Sequence, residues 1–118
     1  HAICDALLGA ANLRDIGYHF PDTDPKWKNA DSKNLLKGVT QILKDKGFTI
    51  GNVDSTIVLE QPKINPHINK MQEVLAPLMN LGVEDLSIKA TTSEKLSFVG
   101  KEEGVKAYAV ALVNTIEK

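Results

Sequence analysis

The sequence predicts a single α/β (α+β) domain in which a mixed β-sheet packs against a layer of helices. Apolar residues recur at helical spacing in three segments, and three other segments are rich in β-branched or alternating apolar residues. No internal repeat, low-complexity run or linker divides the 118 residues. A hydrophobic content of 42% and a charged content of 25% are ordinary for a globular domain, so we expect one compact core.

Two helices are predicted in the first part of the chain. The first runs from Ala2 to Leu13, and its small residues allow close packing. The second follows Asp31-Ser32, a pair suited to cap a helix N-terminus. It ends at Gly47, because glycine adopts the left-handed conformation that closes many helices.

The third predicted helix begins near Pro66 and ends at Gly82. Pro77 lies inside it and should kink the helix or shift its boundary, because proline lacks the amide hydrogen that a helix interior needs. All three helices are expected to lie in the layer that covers the sheet.

Strands are predicted at residues 48–59, 83–90 and 105–116, with a loop over residues 91–104 that has room for one helical turn. Gly51-Asn52 interrupts the first strand, where we expect a bulge or bend. The last strand is apolar on both faces. We therefore expect helices to cover one face and another subunit to cover the other.

Composition excludes several classes of partner. The net charge is −1 and the charges are interspersed, so no broad positive field is available for nucleic acid. No apolar run approaches the ~20 residues that span a bilayer, and no export signal is present, which predicts a soluble, non-secreted protein without a membrane partner. A single cysteine, Cys4, cannot form an intramolecular disulfide and suits a reducing compartment.

Two loops concentrate the groups that bind phosphate, hydroxyls or metals. Residues 15–25, DIGYHFPDTDP, hold three carboxylates and a threonine in a segment stiffened by two prolines. Residues 89–100, KATTSEKLSFVG, supply hydroxyls and a carboxylate within a few positions. Taken alone, the first loop could merely form local turns before Pro25, and TTSE could merely cap a helix.

In this order and at this separation, the two strings resemble the 2-C-methyl-D-erythritol 2,4-cyclodiphosphate synthase family, and the likeness runs along the whole chain. The resemblance implies a homotrimer with its sheets around a three-fold axis and an active site between adjacent subunits. It also implies zinc, together with magnesium or manganese, as cofactors. The chain begins HAIC without an initiator Met, so we expect residues 1–118 to be one synthase domain that is N-terminally incomplete.

The resemblance implies a zinc ligand at His1, whereas the Asp-x-His that supplies the other protein ligands in the family does not occur in this sequence. We therefore expect an incomplete zinc site in this chain. Asp5, one helical turn later, could orient the His1 imidazole or could be a surface carboxylate, and both readings stay open. Cys4 is expected to be a small buried residue rather than a further ligand.

The resemblance assigns substrate binding to three segments: Asp15, Ile16, Gly17, Phe20, Pro21, Asp22, Thr23 and Asp24; then Leu59, Glu60, Gln61, Pro62, Lys63, Ile64 and Asn65; then Ala90, Thr91, Thr92, Ser93, Glu94, Phe98 and Lys101. Asp15 is expected to bind ribose hydroxyls or the erythritol portion, and residues 59–65 the cytosine. Thr92 is the expected catalytic residue, which stabilises the transition state at phosphate, and Glu94 the expected ligand of magnesium or manganese. At the position of Lys101 the family more often has Arg, and a lysine cannot make the bidentate contact with phosphate that an arginine makes. Trp27 is expected to be a packing residue.

The implied reaction is that of a phosphorus–oxygen lyase in isoprenoid biosynthesis by the non-mevalonate pathway: 4-diphosphocytidyl-2-C-methyl-D-erythritol 2-phosphate cyclises and releases CMP. The alternative is a catalytically incomplete nucleotide-binding or assembly module of the same fold, which the missing Asp-x-His favours if the gene begins at His1. Fusion to the preceding pathway enzyme is a third reading. The family implies the bacterial cytoplasm or a plastid, and the former is favoured because no transit segment is visible.

Overall fold

The computed structural model describes residues 1–27, 30–92 and 104–116. Its regular elements are α1 (Ala2–Ala10), α2 (Ile16–His19), α3 (Ser32–Asp45), β1 (Phe48–Val58), α4 (Ile68–Leu75), β2 (Leu86–Thr91) and β3 (Lys106–Thr115), with short 3₁₀ turns at Asn65–His67, Ala76–Met79 and Val83–Asp85. Within the described residues, no helix is both long and apolar enough to cross a membrane.

The described strands form one mixed sheet in the order β2-β1-β3. β1 pairs with β2 in parallel and with β3 antiparallel, as a mixed sheet requires. The β1–β3 register shifts between Ile50 and Asn52, which confirms the predicted irregularity. A Cβ atom on Gly51 would lie 3.2 Å from the Leu112 carbonyl oxygen, so the bulge leaves little room for a side chain there.

The helices cover one face of this sheet, and the core lies between the two layers. α1 packs against β3 and α3, and α3 also contacts β1. The largest side chains that are fully buried come from helices, strands and the second 3₁₀ turn: Leu7, Leu8, Val39, Leu43, Val53, Met79 and Leu86. The predicted α+β domain, with helices on a mixed sheet, is therefore confirmed.

The other face of the sheet is open. On β3 it carries Tyr108, Val110 and Leu112, whose exposed fractions are 58%, 73% and 58%. On β1 and β2 it carries an ion pair in which Lys89 Nζ lies 2.9 Å from Asp54 Oδ2. The final strand is apolar on both faces, as predicted, but within the described chain only one of them is covered.

Three predicted boundaries were wrong. α1 ends at Ala10 rather than Leu13, and the chain then takes left-handed conformations at Asn12 and Arg14. The third helix is α-helical only from Ile68 to Leu75 and continues as a 3₁₀ turn that contains Pro77, which confirms that this proline shifts the boundary. Asn80, with a φ of 58°, ends that turn before the predicted Gly82. The second strand starts at Leu86, because Val83–Asp85 form a 3₁₀ turn.

Candidate active site

The carboxyl ends of the parallel strands β1 and β2 lie side by side, and each continues into a polar segment. The last paired residues are Val58 and Thr91, and Leu59 N then donates to the Thr91 carbonyl oxygen at 3.0 Å. This bond holds the start of the loop after β1 against the end of β2. In open sheets with parallel strands, ligands bind outside these carboxyl ends.

A cavity of about 60 Å³ lies at this edge. It is lined by two of the segments that the sequence predicted: Leu59, Pro62, Lys63, Ile64 and Asn65, then Ala90, Thr91 and Thr92. The Lys63 ammonium and two hydroxyls suit a ligand with anionic and hydroxyl groups. The volume is far below the ~300 Å³ of small-ligand pockets, so the cavity is a shelf that a nucleotide would overhang. We call it the strand-end shelf.

Two residues of the predicted cytosine loop do not line this shelf. Gln61 is exposed, and Glu60 is buried with an exposed fraction of 8%. A buried carboxylate in a loop was not foreseen, because a lone Glu in a polar segment normally predicts a solvated side chain.

A second cavity, of about 520 Å³, lies at the first loop. Its lining includes six of the eight predicted first-loop residues: Ile16, Gly17, Phe20, Pro21, Asp22 and Thr23. His1, the expected zinc ligand, lines it too, together with three residues that the sequence did not assign to a site: Trp27, Ala30 and Leu35. We call it the first-loop cavity. It shares no lining residue with the strand-end shelf.

Two hydrogen bonds hold α2, one to α1 and one to the segment that follows α1. Asp5 Oδ1 accepts from Ile16 N at 2.9 Å, and His19 Nε2 donates to the Leu13 carbonyl oxygen at 2.6 Å. Asp5 therefore acts as the capping group of α2, a role that neither reading from the sequence contained. Asp15, the residue just before α2, is exposed and does not line the cavity; its Oδ2 would lie 3.3 Å from a Cβ on Gly17.

Asp24 differs from its neighbours Asp22 and Thr23 because it makes local bonds. Its Oδ1 accepts from Lys26 N at 3.0 Å, and its own amide donates to the Pro21 carbonyl oxygen at 3.0 Å. For Asp24 the structure therefore supplies the local turn that the sequence left as an alternative. Asp22 and Thr23 face the cavity instead.

Trp27 was expected only to pack, but it both packs against a neighbouring ring and lines the cavity. Its ring meets that of Phe20 edge to face, with the centroids 4.7 Å apart and the planes at 82°. It also forms part of the cavity wall. An isolated Trp beside a polar loop gave no sign of that second role.

His1 lines the first-loop cavity, with Nε2 3.1 Å from Ser32 Oγ. No three His, Cys, Asp or Glu side chains converge to form a metal site anywhere in the described residues. One imidazole is chemically suited to zinc, but a zinc site needs about three protein ligands, so the described residues do not fit zinc by themselves. Cys4 is buried, as expected, and burial raises the pKa of its thiol.

Ser93, Glu94, Phe98 and Lys101 lie outside the described residues.

With both cavities placed, comparison with known proteins decides the family. A profile described as the YgbB family matches residues 1–114. The chain belongs to this family. The 2-C-methyl-D-erythritol 2,4-cyclodiphosphate synthase of Cytophaga hutchinsonii is 63% identical over 113 residues, which are 96% of this chain and 71% of that enzyme. The synthase of Porphyromonas gingivalis is 61% identical over 96% of this chain and 70% of its own length. The resemblance seen in the two loops is confirmed, and the chain is an enzyme of the synthase family.

Solved structures of similar proteins confirm the fold. The bifunctional IspDF of Campylobacter jejuni superposes with a TM-score of 0.93 at 38% identity, covering 99% of this chain but only 32% of that longer one. A 2C-methyl-D-erythritol-2,4-cyclodiphosphate synthase in a CDP-bound form gives 0.88 at 34% identity, over 97% of this chain and 73% of that one. The CDP complex of Plasmodium falciparum IspF gives 0.86 at 27% identity, over 99% and 70%.

Proposed function

We propose that the chain catalyses the cyclisation of 4-diphosphocytidyl-2-C-methyl-D-erythritol 2-phosphate. An oxygen of the 2-phosphate attacks the β-phosphorus, the bond from that phosphorus to the CMP oxygen breaks, and CMP leaves as the cyclic diphosphate closes. The observation that carries the proposal is the 63% identity to a named synthase over 96% of the chain, which includes both substrate loops. Two structural relatives with CDP bound support a cytidine nucleotide as part of the ligand.

The strand-end shelf is proposed to hold the nucleotide and the reacting phosphates. The loop at residues 59–65 would read the cytosine edge mainly through its backbone, and the Lys63 ammonium would face phosphate oxygens. Thr91 would bind the nucleotide, and Thr92 would stabilise the charge that spreads over the phosphoryl oxygens in the transition state. No residue needs to become covalently attached, because the nucleophile belongs to the substrate.

The first-loop cavity is proposed to receive the erythritol portion and its 2-phosphate. Asp15 lies just outside the cavity lining, with Oδ2 beside Gly17, and would accept hydrogen bonds from substrate hydroxyls there. The wall from Phe20 to Thr23 would exclude water around the folded substrate. Asp24 is assigned only to shaping this wall through its local turn.

We propose that one complete site uses the strand-end shelf of one copy and the first-loop cavity of the next copy in a homotrimer. The shelf is too small for the substrate, and the two cavities share no lining residue. The open apolar face of β3, with Tyr108, Val110 and Leu112, supplies a surface for the contact between copies.

Metal dependence is proposed in two parts. His1 would be one of the zinc ligands, with the remainder supplied from outside the described residues, and Glu94 would bind magnesium or manganese. A bound divalent ion would neutralise charge on the diphosphate.

The non-catalytic module is not favoured, because the comparisons name catalysts of this reaction. Bacterial relatives support the cytoplasm as the compartment. Within the pathway, the chain would consume the cytidine diphosphate intermediate and return CMP.

The test of this function is CMP release from the cyclisation substrate by the complete protein with zinc and magnesium. Replacing Thr92 by Ala should lower kcat by about 10²–10³, because one transition-state donor is lost. Thr92→Ser keeps a hydroxyl and should retain most of the rate. Thr49→Ala removes an exposed threonine at the opposite end of β1 and should leave kcat unchanged. A wild-type protein that binds CDP but releases no CMP would contradict the proposal.

A further inference from the structure

A glycine occupies the middle of α3 where a helix would gain from almost any other residue. Gly38 lies in the 14-residue helix Ser32–Asp45. Glycine in a helix interior is less favourable than alanine because it loses more backbone entropy on folding. A position of this kind needs a packing reason, and Gly38 has one.

The ring of Phe20 lies directly on Gly38. A Cβ atom at position 38 would lie 2.9 Å from Phe20 Cζ and 3.1 Å from Cε1. Real Cβ atoms essentially never approach a carbon at 2.9 Å, so any side chain at position 38 requires the ring to move. Among the helical glycines, Gly9 in α1 makes the contrast, because a Cβ there meets nothing within 4 Å.

Trp27 packs against the Phe20 ring edge to face with the centroids 4.7 Å apart, so a displacement of Phe20 would also disturb Trp27. Both rings line the first-loop cavity of about 520 Å³. The Phe20 ring therefore packs on the backbone of α3 at Gly38 and contacts Trp27 on another side. Together the two rings form one wall of the cavity.

We propose that Gly38 is a positioning residue for substrate binding: its missing side chain lets α3 seat Phe20, and this fixes the aromatic wall of the first-loop cavity. The inference rests on the proposed function, since the cavity is taken to receive the erythritol end of the substrate. Gly38 itself lines neither cavity.

The first test is Gly38→Ala in the complete protein, with Gly9→Ala as the matched control. We expect KM for the cyclisation substrate to rise about tenfold with a smaller change in kcat, because binding geometry rather than chemistry is altered. Trp27 is the single tryptophan of the chain, so its emission reports on the wall without any turnover. Its emission should shift to longer wavelength and its acrylamide quenching should increase in Gly38→Ala, whereas Gly9→Ala should change neither KM nor fluorescence.

The second test is rescue. Phe20→Leu removes the ring carbon that the new methyl group would strike, so adding Gly38→Ala to Phe20→Leu should change KM and Trp27 quenching no further. If Gly38→Ala alone fails to fold, recovery of native circular dichroism in the double variant supports the inference, and failure to recover overturns it.

An unchanged KM in Gly38→Ala overturns the inference, as does an effect of equal size in the Phe20→Leu background. These results differ from failure of the proposed function, in which the wild-type protein itself releases no CMP while the Trp27 response to Gly38→Ala persists.

Discussion

At the scale of single residues, the Asp54–Lys89 pair lies on the open face of the sheet, next in sequence to the strand-end shelf. Lys89 directly precedes Ala90 and Thr91, which line the shelf, and its Nζ lies 2.9 Å from Asp54 Oδ2 on the neighbouring strand. The hydrogen bond from Lys89 holds the pKa of the Asp54 carboxyl below its usual value. Both side chains are about half exposed, so the contribution to stability is small and sensitive to salt.

The sign of the pH dependence follows from the lowered pKa. A carboxyl with a lower pKa in the folded state stabilises the fold above its unfolded pKa, about 3.9, and this stability is lost as the pH falls through the folded pKa. Asp54→Asn should therefore be less stable than wild type at pH 7, with a difference that closes below about pH 4. Urea unfolding of both proteins across this range measures it. Lys89→Gln should reproduce the loss at pH 7, and a difference that stays constant down to pH 3 would contradict the assignment.

At the scale of elements, local signals predicted what local contacts determine. Both ends of α3 were predicted because its caps are close in sequence: Asp31 Oδ1 accepts from Lys33 N at 2.8 Å, and Gly47 has a φ of 91°. The bulge of β1 was also predicted from a local signal, because Gly51-Asn52 lies at the bulge itself. The end of α1 was not, because Asn12 and Arg14 take left-handed conformations that the sequence favours only weakly.

Contacts between distant segments could not be predicted from spacing. Asp5 caps α2 across 11 residues of sequence, and Trp27 joins the cavity wall only once the first loop has folded back onto α3. The segments 59–65 and 90–92 were identified from resemblance, but only the parallel pairing of β1 with β2 brings them to one edge. The family resemblance therefore identified these two segments as binding segments, and the sheet topology explains why they lie at the same edge.

The capping of α2 leads to a prediction about an element. Asp5→Ala should free the Ile16 amide, loosen α2 and raise KM several-fold, since the loss of a capping oxygen costs about 0.5–2 kcal/mol of local stability. Asp5→Asn keeps an oxygen that can accept the bond, so its α2 stability and its KM should stay close to those of the wild type. Hydrogen exchange at the Ile16 amide measures the change directly. Unaltered protection in Asp5→Ala would show that Asp5 does not hold α2.

At the scale of the whole molecule, the two cavities and the open sheet face both support the proposed association of copies. The strand-end shelf has Lys63 and two threonines in about 60 Å³, and the first-loop cavity offers about 520 Å³ lined by Asp22 and Thr23 but by no lysine. Neither alone suits a cytidine diphosphate substrate that must fold back on itself. An apolar patch on β3 meanwhile remains uncovered in one described chain. Association of copies would cover that patch and pair one shelf with one cavity.

CMP release by mixed assemblies of two inactive variants shows whether one site is built from two copies of the chain. Asp15→Ala disables the first-loop half and Thr92→Ala the shelf half, so each variant alone should be almost inactive. When the two are co-expressed in equal amounts, random assembly into trimers with shared sites should pair intact halves at about a quarter of the sites and restore about that fraction of wild-type activity. Activity no higher than that of the single variants, in assemblies shown by mass to contain both chains, would contradict a site built from two copies.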